Sequence, residues 1–173
     1  MNSSMIRPLT RINMEKQNLD QTPQEERASP GGKFHVMQKH LSLAIGGKKD
    51  CGLERGGHPF DVSEVRIPAG KTNWPLHVHS KQWEFYLVKS GKGLVRTSDG
   101  EMEIGVGDYL MQTPGVAHQV INQGNEDLVM LVIADNPAAD MIRYPASKKY
   151  FLKPSRVMFG ELGESVEYYE GEE

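Results

Sequence analysis

The chain has 173 residues, a formal net charge of −3 and a single cysteine, Cys51. That length fits one domain able to hide roughly two-thirds of its unfolded surface, and the charge excludes a nucleic-acid binder that works through a basic face. The lone cysteine excludes an internal disulfide or a cysteine-rich zinc cluster, and no run of about 18 apolar residues offers a membrane span. Residues 1–17 lack the apolar stretch of a signal peptide, so a soluble cytoplasmic protein with a small-molecule partner is expected.

Residues 1–32 are polar, with Pro8, Pro23, Pro30 and the pair Gly31-Gly32. They read as an arm, loose or laid over the domain or a partner. From residue 33 to 155 the texture is that of a single β domain. Short apolar or alternating runs predict strands at 40–45, 60–67, 76–80, 84–89, 93–97, 101–104, 109–112, 118–122 and 128–134. Glycine turns separate them, and Ser98-Asp99-Gly100 is a good hairpin turn because glycine takes the positive φ it needs. Strands this short and regular predict an all-β sandwich or barrel. After Asp135, Pro137, Pro145 and Pro154 act as breakers, and 138–142 offers one or two helical turns. Residues 156–173 form an acidic tail. Its last part, 161–173, holds six glutamates and no basic residue, a composition expected to stay solvated.

The chemistry concentrates between Gly70 and Glu84. Residues i and i+2 of a strand share a face, so His77 and His79 present two imidazoles side by side, with Val78 opposite. Ser80 to Trp83 turn the chain, and Glu84 opens the next strand where its carboxylate can reach the same point. His118 opens a later strand after Thr113-Pro114-Gly115. Each has a plain alternative: a single strand histidine is more often structural, and Glu84 alone would be a surface carboxylate. Three imidazoles and one carboxylate suit Fe(II), Mn(II), Ni(II), Co(II) or Zn(II) better than Mg or Ca, and leave about two open positions on a six-coordinate ion.

These residues resemble the two motifs of the cupin superfamily. The first runs glycine, five residues, His-x-His, three or four residues, Glu, six residues, Gly; Gly70, His77, His79, Glu84 and Gly91 take those places. The second runs glycine, five residues, Pro-x-Gly, two residues, His, three residues, Asn; Gly107, Gly115, His118 and Asn122 take those. There are two departures: six residues separate Gly70 from His77, and Thr113 stands at the motif proline, with Pro114 after it. The resemblance implies a double-stranded β-helix, a jelly-roll barrel holding one divalent transition metal ion at His77, His79, Glu84 and His118. It also implies a homodimer, with the arm as a candidate contact.

Strand parity puts Tyr86 and Val88 on Glu84's face, and Val120 and Asn122 on His118's. Tyr86, Arg96 and Met111 are candidate substrate contacts. Their plainer readings are core packing for Tyr86 and Met111 and an outward cation for Arg96. Asn122 is expected to hold the turn at Gln123-Gly124, and Trp74 and Trp83 to wall or cap the barrel. Three readings remain open. One is a metal-dependent enzyme on a small oxygenated molecule, as a dioxygenase or in the manner of a sugar-phosphate isomerase. A second is a cupin that binds or senses a small ligand without turnover. The third makes the metal structural, against which four ligands with vacant positions speak.

Overall fold

A computed structural model describes residues 15–172. The first part of the expected arm, 1–14, lies outside them. Thirteen strands form: β1 (Gln24–Ala28), β2 (His35–His40), β3 (Phe60–Ile67), β4 (Val78–His79), β5 (Glu84–Ser90), β6 (Lys92–Thr97), β7 (Gly100–Gly105), β8 (Tyr109–Gln112), β9 (His118–Ile121), β10 (Leu128–Asp135), β11 (Asp140–Tyr144), β12 (Lys149–Lys153) and β13 (Val157–Gly160). A four-residue helix, α1 (Leu41–Ala44), follows β2. No helix among the described residues is long and apolar enough to cross a membrane.

The strands make a double-stranded β-helix. One wall is a six-stranded sheet in the order β1-β2-β3-β10-β5-β8. The other consists of two smaller sheets, β7-β6-β9 and β13-β12-β11-β4. These are stitched together by an isolated antiparallel bridge between His77 and His118. Inward positions of both walls fill the space between them. Val36, Val65, Ile67, Tyr86, Val88, Leu128 and Met130 come from the large sheet, and Val95, Ile104 and Val120 from the facing strands. The expected parity holds, since Tyr86, Val88, Val120 and Asn122 are all buried.

Two motif glycines have a steric reason. Gly91, in the tight link between β5 and β6, has φ +78°, and a Cβ there would sit 2.4 Å from the carbonyl oxygen of Asp127. Gly115 has φ +84°, which lets the chain turn before His118, while its N–H donates to the carbonyl of His79 at 2.9 Å. Asn122 ties its turn as expected. Its Nδ2 donates to the carbonyls of Ile67 and Glu126, each at 2.8 Å, and its Oδ1 accepts from Gly124 N–H at 2.9 Å.

The structure corrects three expectations. The strand read at 40–45 is instead β2, ending at His40, followed by α1. Alternating Leu41, Leu43 and Ile45 mimic a strand. Gly46, at φ +89°, and the bond from Gly47 N–H to the Ser42 carbonyl at 2.8 Å close a helical turn instead. The helical reading of 138–142 gives way to β11, because Asp140, Ile142 and Tyr144 alternate inward and pair with β12. The tail is solvated only in part: Glu161, Glu164, Glu167 and Glu170 are exposed, but 157–160 form β13 and Tyr168, Tyr169 and Glu172 fold back on the barrel. Tyr168 packs edge-on against Tyr144, Tyr169 stacks on Phe34, and Lys149 meets Glu172 at 3.4 Å with both side chains almost fully buried. In the arm, Gln24–Ala28 add a strand beside β2.

The Lys149–Glu172 pair should hold the tail. Removing one partner of a buried ion pair strands the other charge, at a typical cost of about 3 kcal/mol or more. K149M should therefore lower the unfolding free energy by about 3 kcal/mol in a urea titration, and the double variant K149M/E172Q should recover much of that loss.

Candidate metal centre

Four side chains from three strand segments converge on one point. His77 lies just before β4, His79 ends it, Glu84 opens β5 and His118 opens β9. The His77 and His118 backbones exchange hydrogen bonds, N–H to carbonyl at 3.2 and 2.9 Å, so both motifs share one seam. One donor atom from each of the four residues lies within 4.8 Å of all the others. Metal–nitrogen and metal–oxygen bonds of about 2.1 Å place neighbouring donors about 3.0 Å apart and opposite donors about 4.2 Å apart. His118 Nε2 stands 2.9 Å from Glu84 Oε2, and His79 Nε2 stands 3.7 Å from Glu84 Oε1. With every donor pair within 4.8 Å, modest side-chain adjustment brings the set onto one ion, so the residues fit a divalent transition metal.

The other ring nitrogens are occupied in a way that fixes this orientation. His77 Nδ1 faces the carbonyl of Pro75 at 2.8 Å, and His118 Nδ1 that of Val116 at 3.3 Å. His79 Nδ1 faces Asp140 Oδ2 at 2.5 Å. Each Nδ1 thus donates away from the centre and leaves Nε2 as the inward lone pair. Asp140 is itself gripped, for its Oδ1 accepts from Ser80 Oγ at 2.9 Å and Lys81 N–H at 2.8 Å. Burial alone would raise the Asp140 pKa. The His79 bond and charge, with the Lys81 and Ser80 donors, outweigh it and hold the group ionised well below the usual carboxylate range. Asp140 was not foreseen, because it sits among prolines and belongs to no motif.

Burial, together with the His118 and His79 charges, pushes the His77 pKa well below its ordinary value, so it is neutral and ready to ligate. For Glu84 burial pulls upward, but the neighbouring imidazoles prevail and keep it ionised. Tyr86 donates its hydroxyl proton to Glu84 Oε2 at 2.7 Å, and burial, then the Glu84 charge, drives its pKa well up. Tyr86 therefore touches the ligand set as a neutral donor.

A cleft of two arms opens beside the centre. The metal arm, about 240 Å³, is lined by His77, His79 and Glu84, with Tyr144 and Tyr168 on its wall. The Tyr86 arm, about 130 Å³, runs between β2, β3, β10 and β5. Trp74, Glu84, Lys49, Asp50, Lys153 and Gln38 line both. Four basic side chains face the metal arm: Arg27, Lys49, Lys153 and Arg156. Asp50 pairs with Lys153 at 3.4 Å and with Arg156, while Glu25 pairs with Arg27 at 2.9 Å and Lys49 at 3.8 Å. Arg27 also lies over the Trp74 ring, 5.6 Å from its centroid.

Of the three substrate candidates, only Tyr86 reaches the cleft. Arg96 points away from buried Val95 and pairs with Glu101 at 2.8 Å on the surface. Met111 is 53% exposed, since it is Gln112 beside it that turns inward. Strand parity excludes both from the interior. Trp74 walls the cleft, whereas Trp83 is 47% exposed. The basic residues and His40 were missed because they come from separate segments that only the tertiary fold unites.

Residues 63–134 match the Cupin domain family. A curated relative, the Oxalate-binding protein of Thermotoga maritima, is 26% identical over 112 residues, covering 65% of this chain and 85% of that protein. A sugar phosphate isomerase from a cupin superfamily, from Silicibacter pomeroyi, superposes with a TM-score of 0.72 at 20% identity, covering 88% of this chain and 97% of that one. A predicted oxalate decarboxylase from Thermotoga maritima gives 0.56 at 22% identity, covering 68% and 96%. With both motifs in place on a double-stranded β-helix, residues 63–134 form a cupin domain.

Proposed function

We propose that this protein holds one divalent transition metal ion at His77, His79, Glu84 and His118 and uses it to act on a small oxygenated anion by isomerase-type chemistry. The observation that carries this reading is the basic rim. Arg27, Lys49, Lys153 and Arg156 surround the arm onto which the ligand set faces. These four cations outnumber the carboxylates of Asp50 and Glu84 in the same arm, and a cleft with a net excess of one charge attracts ligands of the other. The proteins it resembles have names that point to oxalate or sugar phosphates, both anions, which supports the same class here. When bound, the ion supplies Lewis acidity toward a carbonyl or carboxylate oxygen.

The chain supplies the rest. Lys153 is the better anchored cation, its Nζ donating to Gln82 Oε1 at 3.0 Å beside Asp50. Tyr86 holds a proton against Glu84. Isomerisation also needs a base on the substrate. His40 lines the Tyr86 arm, and burial, then the Lys49 charge, lowers its pKa, so the ring is neutral and able to accept a proton.

Two outcomes are expected. D140N should weaken metal binding about 10- to 100-fold in competition with a chromogenic chelator, because it releases the hydrogen bond that orients His79. Metal-loaded protein incubated in D2O with anionic α-hydroxy carbonyl compounds should exchange deuterium at the carbon beside the carbonyl, followed by NMR. H40A should slow that exchange by about 100-fold, the lower range for a general base. Tight binding without exchange would instead make the protein a non-catalytic binder.

A further inference from the structure

The two arms of the cleft differ in chemistry. Arg27 and Arg156 line only the metal arm, so it carries the excess of cations. Of the side chains unique to the Tyr86 arm, Asp61, Ser63 and Gln82 bring polar groups and Asp61 brings a further negative charge. Val65, Met130 and Val132 supply an apolar wall beside Trp74. Asp61 Oδ1 is buried and has no hydrogen-bond partner among the described residues. A buried acceptor without a donor is costly, and polar sites of this kind are normally completed by a ligand or by water. A second anion is disfavoured here, because Asp61, Asp50 and Glu84 all face this space.

We infer that the Tyr86 arm is a hydroxyl-binding subsite, and that the ligand is a polyhydroxylated anion whose charged end lies in the metal arm while its hydroxylated carbon chain extends toward Asp61 and Ser63. Hydroxyls satisfy both donors and acceptors, and the C–H face of such a chain lies against Trp74, Met130 and Val132. A two-carbon dianion such as oxalate leaves this arm unused. Ser63 Oγ stands 3.4 Å from His40 Nδ1, so a chain hydroxyl in the arm also meets the neutral imidazole. This inference rests on the anion reading given above and adds the class of its ligand.

The competing occupant is water: a space of about 130 Å³ has room for several molecules. Calorimetry on the metal-loaded protein separates the two with three probes that share an α-hydroxy carboxylate end, namely glycolate, 2-hydroxyhexanoate and gluconate. Gluconate is expected to bind at least about tenfold more tightly than either of the others. D61A should remove most of that advantage and change glycolate affinity less than about twofold. S63A, which leaves every charge in place, should weaken gluconate in the same direction, and melting curves show whether either variant remains folded. Equal affinity for all three probes keeps the anion site and overturns the subsite. Preference for 2-hydroxyhexanoate overturns it too, and so does a D61A loss shared equally by all three. Failure of every probe to bind protein that holds stoichiometric metal overturns the anion reading together with the subsite.

Discussion

Two backbone hydrogen bonds between His77 and His118 hold the site together before any ion arrives. They join the sheet of β6, β7 and β9 to the sheet of β4, β11, β12 and β13 at one residue pair. The same pair places imidazoles from the two motifs 4.4 Å apart, centroid to centroid. Moving either strand by one residue would turn its side chains to the opposite face. The register that closes the smaller wall of the barrel is thus also the register that assembles the ligands. Fold and site cannot vary separately here.

A cluster of buried imidazoles beside a carboxylate is expensive to build, because each charged form loses water. The structure offsets this in layers. Glu84 accepts from the Tyr86 hydroxyl, and Asp140 accepts from His79, Ser80 and Lys81. With His79 Nε2 3.7 Å from Glu84, these contacts connect β5, β4 and the first residue of β11. That explains why β11 carries a buried aspartate at a position with no packing value, and why β4 is only two residues long. Ser80 N–H still bonds the Met141 carbonyl at 2.9 Å, and there the chain turns so that Ser80 Oγ and Lys81 N–H reach Asp140.

The strands that hold the motifs were legible in the sequence because their turns are short and glycine-marked and their core residues recur at every second position. His77, His79, Glu84 and His118 were legible for the same reason, with motif spacing added. Asp140 was not: between prolines 137 and 145, residues 138–142 read as one or two helical turns, though those prolines fall outside β11 and leave its alternation intact. The tail misled in another way. Six glutamates in 161–173 describe a solvated segment by composition, but composition is blind to Lys33 and Lys149, the cations that receive it. Arg96 shows the converse. A cation on a strand is visible in sequence, while which face it takes depends on the parity set by Val95.

The docked tail bears on the cleft itself. Tyr168 lines the metal arm and packs against Tyr144, which in turn lies 6.1 Å from the His77 ring. Burial, reinforced by the charge of neighbouring Tyr169, raises the Tyr168 pKa to about 12, even though its bond with Tyr144 opposes the shift, so this wall stays uncharged. The metal arm thus combines a neutral aromatic surface at Tyr144 and Tyr168 with the cations Arg27, Lys49, Lys153 and Arg156. The acidic tail contributes to this by what it hides. Glu172, which would repel the ligand from the cleft, is buried against Lys149, and only the phenol ring of Tyr168 is presented to the site.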